Sequence, residues 1–106
     1  MNIALDYDGT FTADPDLWLA FIESATARGH VVHIVTARYG HECDHTQPGL
    51  FDPRLITLGI KVIATDREPK RQWCFSKHDT HMHVWIDDTP EAIGPSIRWA
   101  KEGDHS

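Results

Sequence analysis

Apolar positions change their spacing several times along the chain, and each change marks an element. Residues 2–5 (NIAL) are short, mostly apolar and run directly into Asp6-Tyr7-Asp8-Gly9-Thr10, which predicts a buried strand ending in a turn. Across residues 14–28, Leu17, Trp18, Phe21, Ile22 and Ala25 recur at three- and four-residue spacing. That period predicts an amphipathic helix with Asp14 as N-cap, Pro15 at the first helical position and Gly29 as the stop. The β-branched run 30–36 (HVVHIVT) follows after one turn glycine and reads as a strand parallel to the first, as a βαβ unit requires.

Residues 37–53 carry Gly40, Pro48, Gly49 and Pro53 and hold no sustained period, so a long functional loop is expected there. A short helix at 52–58 closed by Gly59, a third strand at 60–64, and a helix begun by Glu68-Pro69 and carrying Lys70, Trp73, Cys74 and Lys77 follow. The run 83–86 (HVWI) is a fourth strand ending in Asp87-Asp88, and Thr89-Pro90-Glu91 opens a last helix, kinked at Gly94-Pro95 and continuing through Trp99. Alternating strands and helices predict an α/β, three-layer Rossmann-like fold with a mainly parallel sheet.

At 106 residues and 41% hydrophobic content the chain suits one domain spanning 1–106. The net charge of −6 argues against generic nucleic-acid binding while leaving a nucleotide substrate open. Cys43 and Cys74 form no paired-spacing motif and no apolar run can span a bilayer, so a reduced, cytoplasmic setting is expected.

In parallel sheets, ligands collect beyond the carboxyl ends of the strands. Asp6 and Asp8 follow strand one, Thr36 ends strand two, and Asp87 with Asp88 follow strand four. Carboxylates gathered there repel one another unless a cation joins them, and Mg²⁺ is the natural candidate, held by Asp6, the Asp8 carbonyl and Asp87. With phosphate on the cation, Asp6 is suited to attack phosphorus, and Asp8 to protonate the leaving oxygen and then activate water. Thr36 and an ammonium group would stabilise the phosphoryl oxygens. Lys70 is best placed to supply it, with Lys77 the alternative in the same window. Gly9 permits a sharp turn near the ligand, and Thr10 beside it is a further substrate-contact candidate. Arg38 stands two residues past Thr36 and could grip phosphate or pair with a carboxylate.

DYDGT, the HIVT strand end, a lysine ahead of a strand and the strand ending IDD resemble, in order, the four motifs of the haloacid dehalogenase (HAD) superfamily of phosphatases. The resemblance spans Leu5 to Asp88 and implies Asp6 as nucleophile, Asp8 as acid/base, Thr36 as the second-motif residue and Asp87-Asp88 as the fourth-motif pair. Asp88 is expected to orient a metal-bound water or Lys70. The usual cap domain has no room, which implies an open site for a phosphorylated substrate such as a nucleotide, a nucleic-acid end or a phosphoprotein. The expected activity is phosphomonoester hydrolysis; the alternative is a catalytically weak metal-binding or regulatory protein acting through a partner. Dehalogenation is disfavoured, because a halide needs no protonating acid.

His41, Cys43 and His45 are zinc-ligand types, with a fourth ligand to come from Cys74, His78, His81 or His83, but their alternate spacing matches no structural-zinc pattern. Solvated loop histidines, or histidines lining the phosphate site, are the simpler reading. His33 is expected to be a satisfied packing residue, and Trp18, Trp73, Trp85 and Trp99 to pack in the core.

Overall fold

The computed structural model describes residues 1–47 and 49–96. Its strands are β1 (Asn2–Leu5), β2 (Val31–Thr36), β3 (Lys61–Ala64) and β4 (Val84–Ile86), and its helices α1 (Pro15–Ala27), α2 (Pro53–Thr57) and α3 (Lys70–His78). The strands form one all-parallel sheet in the order β3-β2-β1-β4. Strand one therefore lies inside the sheet, flanked by its sequence neighbour β2 and by β4 from the far end of the chain.

The predicted caps are in place. Asp14 accepts a hydrogen bond from the Leu17 N–H at 3.3 Å, Pro15 opens α1, and Gly29 takes φ +87°, which a residue with a Cβ adopts at a cost. Asp52 caps α2 in the same way through the Arg54 N–H.

Side-chain alternation divides the core between the two faces of the sheet. Ile3, Leu5, Val32 and Ile34 pack with Ile22 and Ala25 of α1 and Leu55 of α2 on one face. On the other face Ala4, Val35 and Ile63 meet Cys74 of α3 and Met82, with Trp73 and Trp85 against them. Trp18 packs edge-on to Phe21 at 5.7 Å, and Trp99 lies outside the described residues. No helix among the described residues is long and apolar enough to cross a membrane.

Two sequence expectations need correction. Among the described residues the last helix begins as a 3-10 turn at Pro90–Ala92, after which Gly94 takes φ +84°, with its backbone against Pro69; the expected continuation through Trp99 lies outside the described residues. The expected long loop at 37–53 is present; it contains a 3-10 turn at Gly40–Cys43 and sends Phe51, fully buried, into the core, where it stacks on Tyr7 at 4.3 Å. The second correction is His33, which is buried but has no hydrogen-bond partner for either ring nitrogen among the described residues.

Burial holds the His33 pKa below its ordinary value, with the positive charge of Lys61 and the nearby His78 acting in the same direction. A depressed histidine pKa means that the unfolded chain takes up the proton first, so this contribution to stability is lost as pH falls below about 6.5. His33→Val removes two unpaired buried nitrogens and is expected to stabilise the protein by about 1 kcal/mol or more at neutral pH. Its advantage over the wild type should widen between pH 7.5 and 5.5 in urea denaturation. A gap that stays constant with pH would show that His33 does not titrate on unfolding.

Candidate functional site

Because the sheet is parallel, the carboxyl ends of β1, β2 and β4 share one edge, where Asp6, Thr36 and Asp87 stand. The Asp6 N–H donates to the Ile86 carbonyl at 2.9 Å, so the backbone carrying the first acid is tied to the strand that leads to the acidic pair. Helix α3 begins at the same edge and brings Lys70, only 2% exposed, between the two groups. Its Nζ donates to Asp6 Oδ1 at 2.7 Å and to Asp87 Oδ2 at 2.5 Å. Lys77 lies over the Trp73 ring, so geometry selects Lys70 from the lysine window.

Asp6, Asp87 and Asp88 each offer a carboxylate oxygen within 4.8 Å of the others. Three carboxylates against one ammonium leave a local excess of negative charge. The Asp6 pKa is raised to about 6, chiefly by burial; Lys70 opposes the rise, while Asp88 and Asp87 add to it. Asp88 is held below the ordinary carboxylate range, mainly by hydrogen bonding with Asp6 and also with Thr10. Asp88 thus joins the acidic group directly, where only an orienting role was expected of it. Three oxygen donors at this spacing suit a hard divalent cation such as Mg²⁺, which takes few protein carboxylates and keeps several waters.

The DYDGT turn serves this cluster. At φ +83° the conformation demands glycine, and a Cβ on Gly9 would sit 2.4 Å from Asp88 Oδ2 and push that carboxylate aside. Thr10 Oγ1 lies 3.2 Å from both Asp6 Oδ2 and Asp88 Oδ1 and accepts the Asp88 N–H at 3.2 Å. Thr10, one of the expected substrate contacts, thus ties the first turn to Asp6 and Asp88, and Gly9 beside it approaches Asp88 closely. Thr36, 1% exposed, accepts the Arg38 N–H at 3.3 Å.

Arg38 makes the carboxylate contact that was one of its two sequence alternatives. Its Nε and Nη2 donate to the two oxygens of Asp8, both at 2.7 Å, and Nη1 donates to the carbonyls of Glu42 at 2.5 Å and Leu50 at 2.7 Å. Its guanidinium carbon stands 4.9 Å from the Tyr7 ring centroid. Every nitrogen of the fork is engaged, which fixes Asp8 and ties the 37–53 loop to it.

A cavity of about 190 Å³ opens at this edge, lined by Asp6, Asp8, Thr36, Lys70, Asp87 and Arg67. Arg67 escaped the sequence reading. It is carried by a turn in which Asp66 and Arg67 take φ +52° and +67°, held by N–H donation to the Arg38 and Ala37 carbonyls at 3.1 and 2.8 Å. Two consecutive left-handed non-glycine residues have no sequence signature here, and each costs about 1 kcal/mol or more.

His41, Cys43 and His45 do not gather as ligands; among the described residues the acidic trio is the group so arranged. Cys43 and Cys74 are free thiols, and burial pushes Cys74 up to about 11. No family model, curated protein or solved structure matches this chain, so its demonstrated kinship extends no further than a small α/β domain with a four-stranded parallel sheet.

Proposed function

We propose that this chain is a Mg²⁺-dependent phosphomonoesterase of HAD-like type without a cap, acting through an aspartyl-phosphate on Asp6. The observation that carries the reading is the buried Lys70 ammonium joining Asp6 to Asp87 at the carboxyl edge of the sheet, with Thr36 on the same cavity. Residues spread from position 6 to position 87 converge there in the order of the HAD motifs.

When bound by Asp6, Asp87 and Asp88, with the Asp8 carbonyl as the further ligand proposed from sequence, Mg²⁺ supplies positive charge to the phosphoryl oxygens. Asp6 attacks phosphorus as the bond to the leaving oxygen breaks, and Asp8 delivers a proton to that oxygen. Asp8, now a carboxylate, takes a proton from water as the water attacks the acyl phosphate and regenerates Asp6. Lys70 has three N–H groups, two of them given to Asp6 and Asp87; the third, with the Thr36 hydroxyl, serves the phosphoryl oxygens. The test is phosphate release from nucleotides, sugar phosphates and phosphorylated nucleic-acid ends. Release is expected only with Mg²⁺, and turnover undiminished by chelator would sink the proposal.

One observation favours a second reading, a catalytically weak metal-binding or regulatory protein: Arg38 grips both oxygens of the would-be acid/base. As a phosphatase, Asp8→Asn is expected to lower kcat about 10²-fold or more, and Arg38→Ala to lower it less. The double variant should be no worse than Asp8→Asn, because Arg38 acts through Asp8. Full activity in Asp8→Asn would hand the site to the second reading.

A further inference from the structure

The cavity at Asp6 is small, and what lies on its rim bears on the group that a phosphate ester leaves outside. At about 190 Å³ it has room for a phosphoryl group and part of its ester, so the remainder of a nucleotide-sized ester would extend past its rim. Through Arg67 that rim is continuous with a pair of planar side chains. Arg67, which lines the cavity, has its guanidinium carbon 5.1 Å from the Tyr39 ring centroid. Tyr39, 43% exposed, in turn stands near-parallel to the exposed His41 ring, with centroids 6.0 Å apart and planes 9° from coplanar.

This row of Arg67, Tyr39 and His41 is anchored from below rather than within. The Tyr39 N–H donates to Glu42 Oε1 at 2.7 Å, and Arg38, next in the chain, is clamped to Asp8 and to the Glu42 and Leu50 carbonyls. Arg67 itself is more than half exposed and has one ion pair, to Glu42 at 3.3 Å. It is the loosely committed cation of the site, since Lys70 and Arg38 are each held by several short bonds.

We propose that Tyr39, His41 and Arg67 form a base-stacking platform, and that the substrate is a nucleoside monophosphate whose phosphate enters the Asp6 cavity. Planar π faces and a guanidinium stack on any nucleobase, a contribution of about 1–3 kcal/mol per base. The chain's net charge of −6 disfavours a long polyanion, which leaves a mononucleotide as the fitting nucleic-acid ligand. The substrate class rests on the phosphatase reading; the platform itself is tested separately, by binding.

The kinetic test compares adenosine 5′-monophosphate with ribose 5-phosphate, which presents the same ester without the base. The wild type is expected to favour the nucleotide about tenfold in kcat/KM. Tyr39→Ala and Arg67→Gln should each collapse that ratio toward one, while Tyr39→Phe keeps it. A wild-type ratio near one, or a ratio unmoved by Tyr39→Ala, overturns the proposal. The binding arm measures the same two compounds by calorimetry on Asp6→Asn with Mg²⁺, where turnover is not needed. Nucleotide preference there, without phosphate release by the wild type, would defeat the phosphatase reading and keep the platform. Equal binding of both compounds, or O-phosphotyrosine binding as tightly as the nucleotide, defeats the nucleotide assignment.

Discussion

Lys70→Met should be among the most damaging single substitutions in the protein, lowering stability by about 3–5 kcal/mol at pH 7 in the presence of chelator. Methionine fills most of the space, so the loss is electrostatic: Asp6 and Asp87, whose side chains are 7% and 2% exposed, are left facing one another and Asp88 without the ammonium between them. A domain of this size has only about 5–15 kcal/mol in total, so the variant sits near the threshold of folding. Two manipulations should recover part of the loss. Lowering the pH to 5 protonates Asp6, whose pKa already stands at about 6 with the lysine present. Adding Mg²⁺ replaces one cation by another, so the variant's midpoint in urea should rise more with Mg²⁺ than the wild type's does. Phosphate release should fall about 10²- to 10³-fold, as for loss of a donor to a charged transition state. A variant as stable as the wild type in chelator would mean that the carboxylates do not need Lys70, and the account of the cluster would fail.

Asp6→Asn is expected to move activity and stability in opposite directions. As the proposed nucleophile its loss should reduce turnover on the order of 10⁴-fold or more. The same change should raise the melting temperature of the metal-free protein. A pKa raised from 3.8 to about 6 means that the folded state holds the proton more tightly than the unfolded chain. Folding is therefore favoured by this group at low pH, and the benefit is lost as pH rises through 6, leaving ionised Asp6 a penalty on the order of 3 kcal/mol at neutral pH. Asparagine carries no such charge and still accepts a hydrogen bond from Lys70. In chelator, the wild type should thus lose stability relative to Asp6→Asn between pH 4 and 7, and Mg²⁺ should stabilise the wild type more than the variant. A metal-free Asp6→Asn that melts below the wild type at pH 7 would contradict this.

The parts of the molecule that were legible in sequence are those where one residue type answers one local demand. Asp14, Pro15 and Gly29 announced α1 because cap, first turn and stop each have a distinct chemistry. Asp6, Thr36 and Asp87 were readable because each follows a short apolar run, and parallel strands bring such ends together. Lys70 was separable from Lys77 because a residue at the start of α3 faces the edge, whereas Lys77 lies two turns further on. What stayed hidden depends on partners far away in the chain. Whether Arg38 meets a carboxylate or a phosphate is decided by Asp8, thirty residues earlier, and Phe51 has no periodic neighbours to mark it as core. His33 alternates correctly for a buried strand residue, yet no local pattern says whether its nitrogens find partners. Asp88 could be read as an orienting residue until the approach of Gly9 showed how closely the first turn meets it.

The place of β4 in the sheet has a dynamic consequence. Among the described residues it pairs on one side only, through Ile3 with Val84, Ala4 with Trp85 and Leu5 with Ile86, whereas β1 is paired on both sides. The amides of β1 should therefore exchange with deuterium only when the whole domain opens, while β4 frays at lower free energy. Asp87 and Asp88 ride on that looser strand and Asp6 on the fixed one, so transient departure of β4 would dismantle the acidic cluster without unfolding the domain. A cation bridging the two strands would act as a clasp, slowing exchange at Trp85 and Ile86 far more than at Ala4.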